Sequence, residues 1–200
     1  MSIIDVNFRI DNAGVIGNLR SQIPFASAVA LTKTAKHGQT AVLSKLRENF
    51  EIRNNWAEPS SKFGVKITPA KKNDLKAEVY TRAGWMAKQE AGGTHLPRQK
   101  ALAVPTENVK RNKKQIIPRA QRPGMLRTQG SFILQTKRGG VIAMRKKVRK
   151  RSELTVLYGL EPSVKIKARP FMRVPVESAV DKHLSNEFNK ALVTALKTAR

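Results

Sequence analysis

Between Asn108 and Ser152 the chain carries fifteen Lys and Arg residues and no Asp or Glu at all. Cations without partners in sequence are almost never fully buried, so this stretch has to fold into loops, strand ends and open faces that leave its charges in water. The residues are Lys110, Arg111, Lys113, Lys114, Arg119, Arg122, Arg127, Lys137, Arg138, Arg145, Lys146, Lys147, Arg149, Lys150 and Arg151. The densest run, Arg145 to Arg151, lies between two strand-like segments in the chain interior, which distinguishes it from a disordered terminal arm. It is expected at one edge of a sheet, across a strand end and the following loop, as a docking surface.

The same bias extends over the whole chain. Against 39 Lys and Arg stand 14 Asp and Glu, a formal charge of +25, which repels itself and favours a polyanion or an acidic protein surface as partner. With 200 residues, 40% of them hydrophobic, a single domain spanning 1–200 is expected, with a basic arm at about 108–127. Cysteine is absent, which excludes disulfides and thiolate zinc sites and fits a reducing compartment. No apolar run reaches the roughly 18 residues of a membrane span, and MSIIDVNFRIDNAG alternates apolar and polar residues, unlike a signal peptide.

Ile4, Val6, Phe8 and Ile10 have strand period. From Pro24 to Phe50, Ala28, Leu31, Ala35, Gly38, Val42, Leu46 and Phe50 recur every three or four positions and predict a helix, with Ser21 and Pro24 near its start. GVKITP and LKAEVYTR predict a hairpin, and AGWMAKQEAGG with HLPRQKALAVP predicts a short helix, a turn and a brief strand. The segment ENVKRNKKQIIPRAQRPGML has no period and reads as a long loop ordered mainly by contact with something else. SFILQT, VIAMRKK and ELTVLYGL predict an antiparallel meander, with Gly139 and Gly140 supplying positive φ at the first turn. Val176, Val180, Leu184, Phe188, Leu192 and Leu196 step by four along a last helix, Pro175 to Thr198. The expected fold is α+β: an antiparallel sheet of about five to six short strands covered by two long amphipathic helices, with a long basic loop.

Catalytic chemistry has little to work with. His37, His95 and His183 are not at metal-ligand spacing, and Asp5, Asp11, Glu48, Glu51 and Glu58 are scattered where they balance local positive charge. The Gly pairs at Gly92 and Gly139 lack the Lys-Ser/Thr of a phosphate-binding loop and read as turns. Trp56 and Trp85 could stack on bases, but no aromatic is interleaved with the cations from Lys110 to Arg127, so packing roles are expected. No catalytic residue, metal site or cofactor is expected.

The segment MAKQEAGGTHLPRQKALAVPTENVKR, in which a short helix ends in Glu-x-Gly-Gly before Lys-Ala-Leu-Ala-x-Pro, resembles the tail-completion and minor tail proteins of long-tailed bacteriophages, particularly the minor tail protein Z group. ALTKTA, FILQTKRGGVIAM and VLYGLEPSVKIKARPFMRVPVESAV agree with it, and the likeness covers roughly residues 25 to 195. The resemblance implies a non-enzymatic virion protein at the head–tail junction or tail terminus, assembled in the host cytoplasm as a ring of copies, a hexamer being favoured. It implies tail-tube, tail-terminator or connector proteins as neighbours, with possible DNA contact and no membrane. The alternative from composition is a stand-alone, sequence-nonspecific nucleic-acid-binding protein; a metal-dependent nuclease ranks behind both.

Overall fold

The computed structural model describes residues 16–98, 100–137, 139–148 and 151–198, with side chains from Gln22 onward except at 146–148, 151 and 198. The strand expected at Ile4 to Ile10 lies outside the described residues. The fold is α+β, and the chain divides into two compact units: Met1–Gly84 with Pro170–Arg200, and Trp85–Arg169.

The first unit is built on two long helices, α1 (Ile16–Asn49) and α4 (Arg173–Thr198). α1 does not begin near Pro24 as expected but runs through it. A proline inside a helix forfeits a hydrogen bond and costs about 3 kcal/mol. Packing against α4 opposes that cost, because Ala26, fully buried, clusters with Ala191 and Ala195 beside Val29, Phe188 and Leu192. At the other end of α1, Gly38 lies against Val176 at the start of α4, so the helices are antiparallel.

Of the α1 stripe expected from sequence, Ala28, Ala35, Gly38, Val42 and Leu46 are buried, whereas the large-residue stripe expected on α4 is not the fully buried one. On α1 the four-step series Ala26, Ala30, Thr34, Gly38, Val42 and Leu46 is buried. On α4 the buried residues are Ala179, Glu187, Ala191 and Ala195, while Val176, Val180, Leu184, Phe188 and Leu192 are half-buried at its flank and Leu196 is exposed. Small side chains bring two helix axes close, and the larger residues then wrap the sides of the contact. Phe50 packs edge-on to the buried Phe171 at 5.9 Å, fixing the entry to α4.

The expected hairpin forms from β1 (Val65–Thr68) and β2 (Glu78–Thr81), antiparallel from Val65 opposite Thr81 to Thr68 opposite Glu78. α1 holds it: Gln39 Nε2 donates to the Val65 carbonyl at 2.7 Å, and the Ala70 amide donates to Thr32 Oγ1 at 3.1 Å. Gly64 is required here, since a Cβ at this position would sit 1.8 Å from the Glu58 carbonyl oxygen.

In the second unit α2 (Ala87–Ala91) ends at Gly92, whose φ of 72° suits glycine. β3 (Gly93–His95) then pairs with β8 (Val164–Ile166). The larger sheet contains β4 (Leu102–Pro105), β5 (Phe132–Thr136), β6 (Gly139–Val148) and β7 (Arg151–Glu161), in the order β4-β7-β6-β5 and antiparallel throughout. Of the two glycines expected to have positive φ at the β5–β6 turn, Gly139 does, at 131°. Among the described residues, the strands form three small sheets of two, two and four strands instead of one sheet of five or six.

Candidate docking surface

The expected loop from Asn108 is not ordered by a foreign surface alone; it folds back on the sheet. Val109 and Leu126 are almost wholly buried and share a core with Ile142, Leu157 and Tyr158, flanked by Ala103, Ile117, Met144 and Leu160. Only three apolar residues of the segment reach this core, which is why no period shows in its sequence. The attachment point is a β-bulge. Ile142 faces Tyr158 and Ala143 faces Val156, leaving Leu157 as the extra residue. The freed carbonyls are taken by the incoming chain: the Thr106 amide donates to Leu157 at 2.9 Å, Thr106 Oγ1 donates to Val156 and Leu157, and Asn108 Nδ2 donates to Val156 at 2.9 Å.

The tip of the loop is a tight turn. The Gln115 amide donates to the Asn112 carbonyl at 2.8 Å, the Ile116 amide to Asn112 Oδ1 at 2.9 Å, and Gln115 takes φ 58°. Lys113 and Lys114 are thus presented at its apex. The far limb ends in a helix that went unread in the sequence, α3 (Pro123–Thr128). Its signals are local: proline at the first helical position and Gly130 at φ 87° beyond its end. The Ser131 amide reaches the Leu126 carbonyl and the Gly130 amide reaches Arg127, the paired bonds of a Schellman terminus.

Arg145 to Arg151 also differs from expectation. It is not mainly loop: β6 continues to Val148 and β7 starts at Arg151, with Arg145 opposite Leu154, Lys146 opposite Glu153 and Lys147 opposite Ser152. β5 stops pairing at Ala143 and β4 at Tyr158, so beyond the bulge β6 and β7 leave the sheet as a two-stranded ribbon. From Met144 opposite Thr155 to Val148 opposite Arg151, five residue pairs give it a length of about 14 Å.

Lys110, Arg111, Lys113, Lys114, Arg119, Arg122, Arg127, Lys137 and Arg145 are all exposed. Among the described residues none of the nine forms an ion pair. Arg138, Arg149 and Lys150 lie outside the described residues, as do the side chains of Lys146, Lys147 and Arg151. Arg111 and Arg122 come together near Tyr158: burial pushes its phenol up from the ordinary value, and the two guanidiniums oppose that rise. The unit Trp85–Arg169 holds 21 Lys and Arg against four Asp and Glu, a formal charge of +17 out of the chain's +25.

No protein-family model, curated protein or solved structure matches this chain.

The scattered carboxylates of the helical unit do balance local charge, Glu48 with Lys45, Glu51 with Arg53 and Glu58 with Arg47, each at 2.7–2.8 Å. Asp5 and Asp11 lie outside the described residues. His37 and His183, far apart in sequence, stack at 4.2 Å across the helix seam. Glu187 stands beside them, 3.5 Å from Lys33, 3.5 Å from Lys190 and 3.9 Å from His37. Its lysines neutralise this carboxylate, and among the described residues no group of three His, Cys, Asp or Glu is placed to hold a metal. His95 lies in β3 with its Nδ1 3.2 Å from Lys88 Nζ. Trp56 is half-buried, whereas Trp85, expected to pack, is 55% exposed. Among the described residues no helix is long and apolar enough to cross a membrane.

Proposed function

We propose that this chain is a non-enzymatic structural protein of a long-tailed bacteriophage particle, acting at the head–tail junction or tail terminus. It assembles as a ring of copies and docks through the basic surface of the 85–169 unit against an acidic tail-tube, tail-terminator or connector protein. The observation that carries this reading is the display, on hydrogen-bonded turns and strands, of exposed cations that form no ion pair among the described residues. Lys113 and Lys114 sit at the apex of a hydrogen-bonded turn, and Arg145 sits on a paired strand. A fixed array of charge without internal partners destabilises the free protein by self-repulsion, and an anionic neighbour relieves it. The resemblance of MAKQEAGGTHLPRQKALAVPTENVKR supplies the phage setting.

The ribbon supports a second reading, because a two-stranded β-ribbon fits the major groove of duplex DNA. Sedimentation of the purified protein in moderate salt, with titration of arbitrary duplex DNA across a salt series, separates the two. Rings that persist in salt with weak DNA affinity support the particle protein. A monomer whose DNA affinity falls steeply with salt supports the nucleic-acid binder.

A further inference from the structure

β5 stops short of the ribbon. It begins at Phe132, opposite Ala143, because the chain before it turns away into α3: Gly130 takes φ 87°, and the Ser131 amide donates to the Leu126 carbonyl. β6 runs on from Met144 to Val148 along a side that no strand among the described residues covers. A step is left there, a shallow depression lined by Gln129, Gly130 and Phe132 from the departing chain and by Met144 and Arg145 from β6.

The register shows which main-chain groups this step leaves open. In an antiparallel strand, alternate residues direct both N–H and C=O to the same neighbour. Two-residue turns set the phase: Thr136 and Gly139 close the β5–β6 hairpin, and Val148 and Arg151 close the ribbon. Counting from the first turn, Gly139, Val141 and Ala143 bond to β5. Counting from the second, Val148, Lys146 and Met144 bond to β7. The peptide groups of Arg145 and Lys147 therefore face the vacated side. The opposite edge of the ribbon is already engaged at its root, where Thr106 and Asn108 bond to the Val156 carbonyl.

Charge selects what can pair there. Between Met144 and Thr155 the sequence carries six Lys and Arg and one carboxylate, Glu153. Cations on an edge strand discourage pairing with a like chain, and a second copy laid along this edge would bring its own Arg145, Lys146 and Lys147 against them. An acidic strand meets no such conflict. We infer that an extended acidic segment of a partner protein adds as a strand to β6 at Arg145 and Lys147, beside Phe132. Main-chain bonds to the open peptide groups hold it, and its carboxylates are matched to the cations of the ribbon. The inference rests on the reading that the basic unit docks on an acidic protein, and it adds where the contact lies and what backbone form the partner takes.

The test uses the full chain and an extended peptide of about nine residues alternating glutamate with valine, roughly 30 Å long. Its control is the same peptide N-methylated at every amide, which keeps the charge and side chains and removes the main-chain donors. Calorimetry is expected to show the first peptide binding at least about tenfold more tightly than the control. Hydrogen exchange at the Arg145 and Lys147 amides is expected to slow by at least about tenfold in the complex. Arg145→Pro removes one outward donor at an edge position where proline is tolerated, and should lose the preference for the first peptide. Arg145→Gln makes the same change of charge but keeps the donor, and should retain it. If Arg145→Pro fails to fold, the exchange measurement on the parent decides. Equal affinity for the two peptides, unchanged exchange at both amides, or no binding of either peptide overturns the inference. So does self-association of the free protein that protects the same amides, since a second copy then occupies the edge. If both peptides bind alike and Arg145→Glu with Lys147→Glu weakens both, strand addition fails and the docking reading stands. If arbitrary duplex DNA binds and neither peptide does, both fail.

Discussion

Tyr158 Oη donates a 2.7 Å hydrogen bond to the backbone carbonyl of Gln121, tying a sheet strand to the basic loop 37 residues earlier in the chain. With Thr106 and Asn108 bonded to the bulge at the near end of the loop, this bond fixes the far end. Tyr158→Phe removes it and is expected to cost about 1 kcal/mol. Trypsin cleavage after Arg119 should accelerate accordingly. Because burial raises the phenol's pKa in the folded state, the neutral form is favoured there, and stability falls as the pH rises past about 10. That alkaline loss, followed by thermal melting, should be smaller in Tyr158→Phe.

Glu187 titrates in the opposite direction. Burial alone would raise its carboxyl, but Lys190 and Lys33 outweigh it and hold the pKa below the ordinary value. A depressed folded pKa contributes stability that is present above the unfolded value and lost as pH falls through the folded one, below about pH 4. Glu187→Gln should therefore melt lower than the parent at neutral pH, and the difference should narrow on acidification below about pH 4.

The helix seam accepts little added volume. Ala195 is 1% exposed against Ala26 and Ala191, so Ala195→Leu overpacks it and is expected to cost about 1–3 kcal/mol. Leu46→Ala instead opens a cavity beneath a fully buried side chain and should cost about 2–5 kcal/mol. Chemical denaturation of both variants checks these values.

Gly64→Ala should be more damaging than either chemistry or size suggests. The added methyl meets a backbone carbonyl at 1.8 Å, which no rotamer change relieves, so the loop before β1 must shift. A melting temperature equal to the parent's would mean that this approach is absent in solution.

Some of this architecture was legible in the sequence. The meander announced itself through its three apolar segments and Gly139, and the β1–β2 hairpin through its polar AKKND loop. The buried face of α4 was misread because the four-step series there followed Val, Leu and Phe, while Ala191 and Ala195 are the residues that cluster with Ala26 of α1. Small residues carry little hydropathy but decide how near two helices come. The ribbon was hidden for another reason: Arg145 to Arg151 looks like loop because its charge is high, and strand pairing there follows from the register set by Ile142 and Tyr158. The folded loop was hidden by sparseness, since Val109, Ile117 and Leu126 are too far apart to form a period. The basic residues themselves were found by counting, but their division between folded loop and ribbon required the register of the strands.

The docking claim is tested most directly by replacing Arg145, Lys147, Arg149 and Lys150 with Glu and measuring the yield of joined, infectious particles. Arg145 is exposed and unpaired among the described residues, so the purified variant should melt like the parent. Like charges set across an interface cost several kcal/mol, about 3 or more, enough to prevent stable incorporation. The account predicts separate heads and tails, or particles lacking the protein. Normal yields of joined particles containing the variant would contradict it.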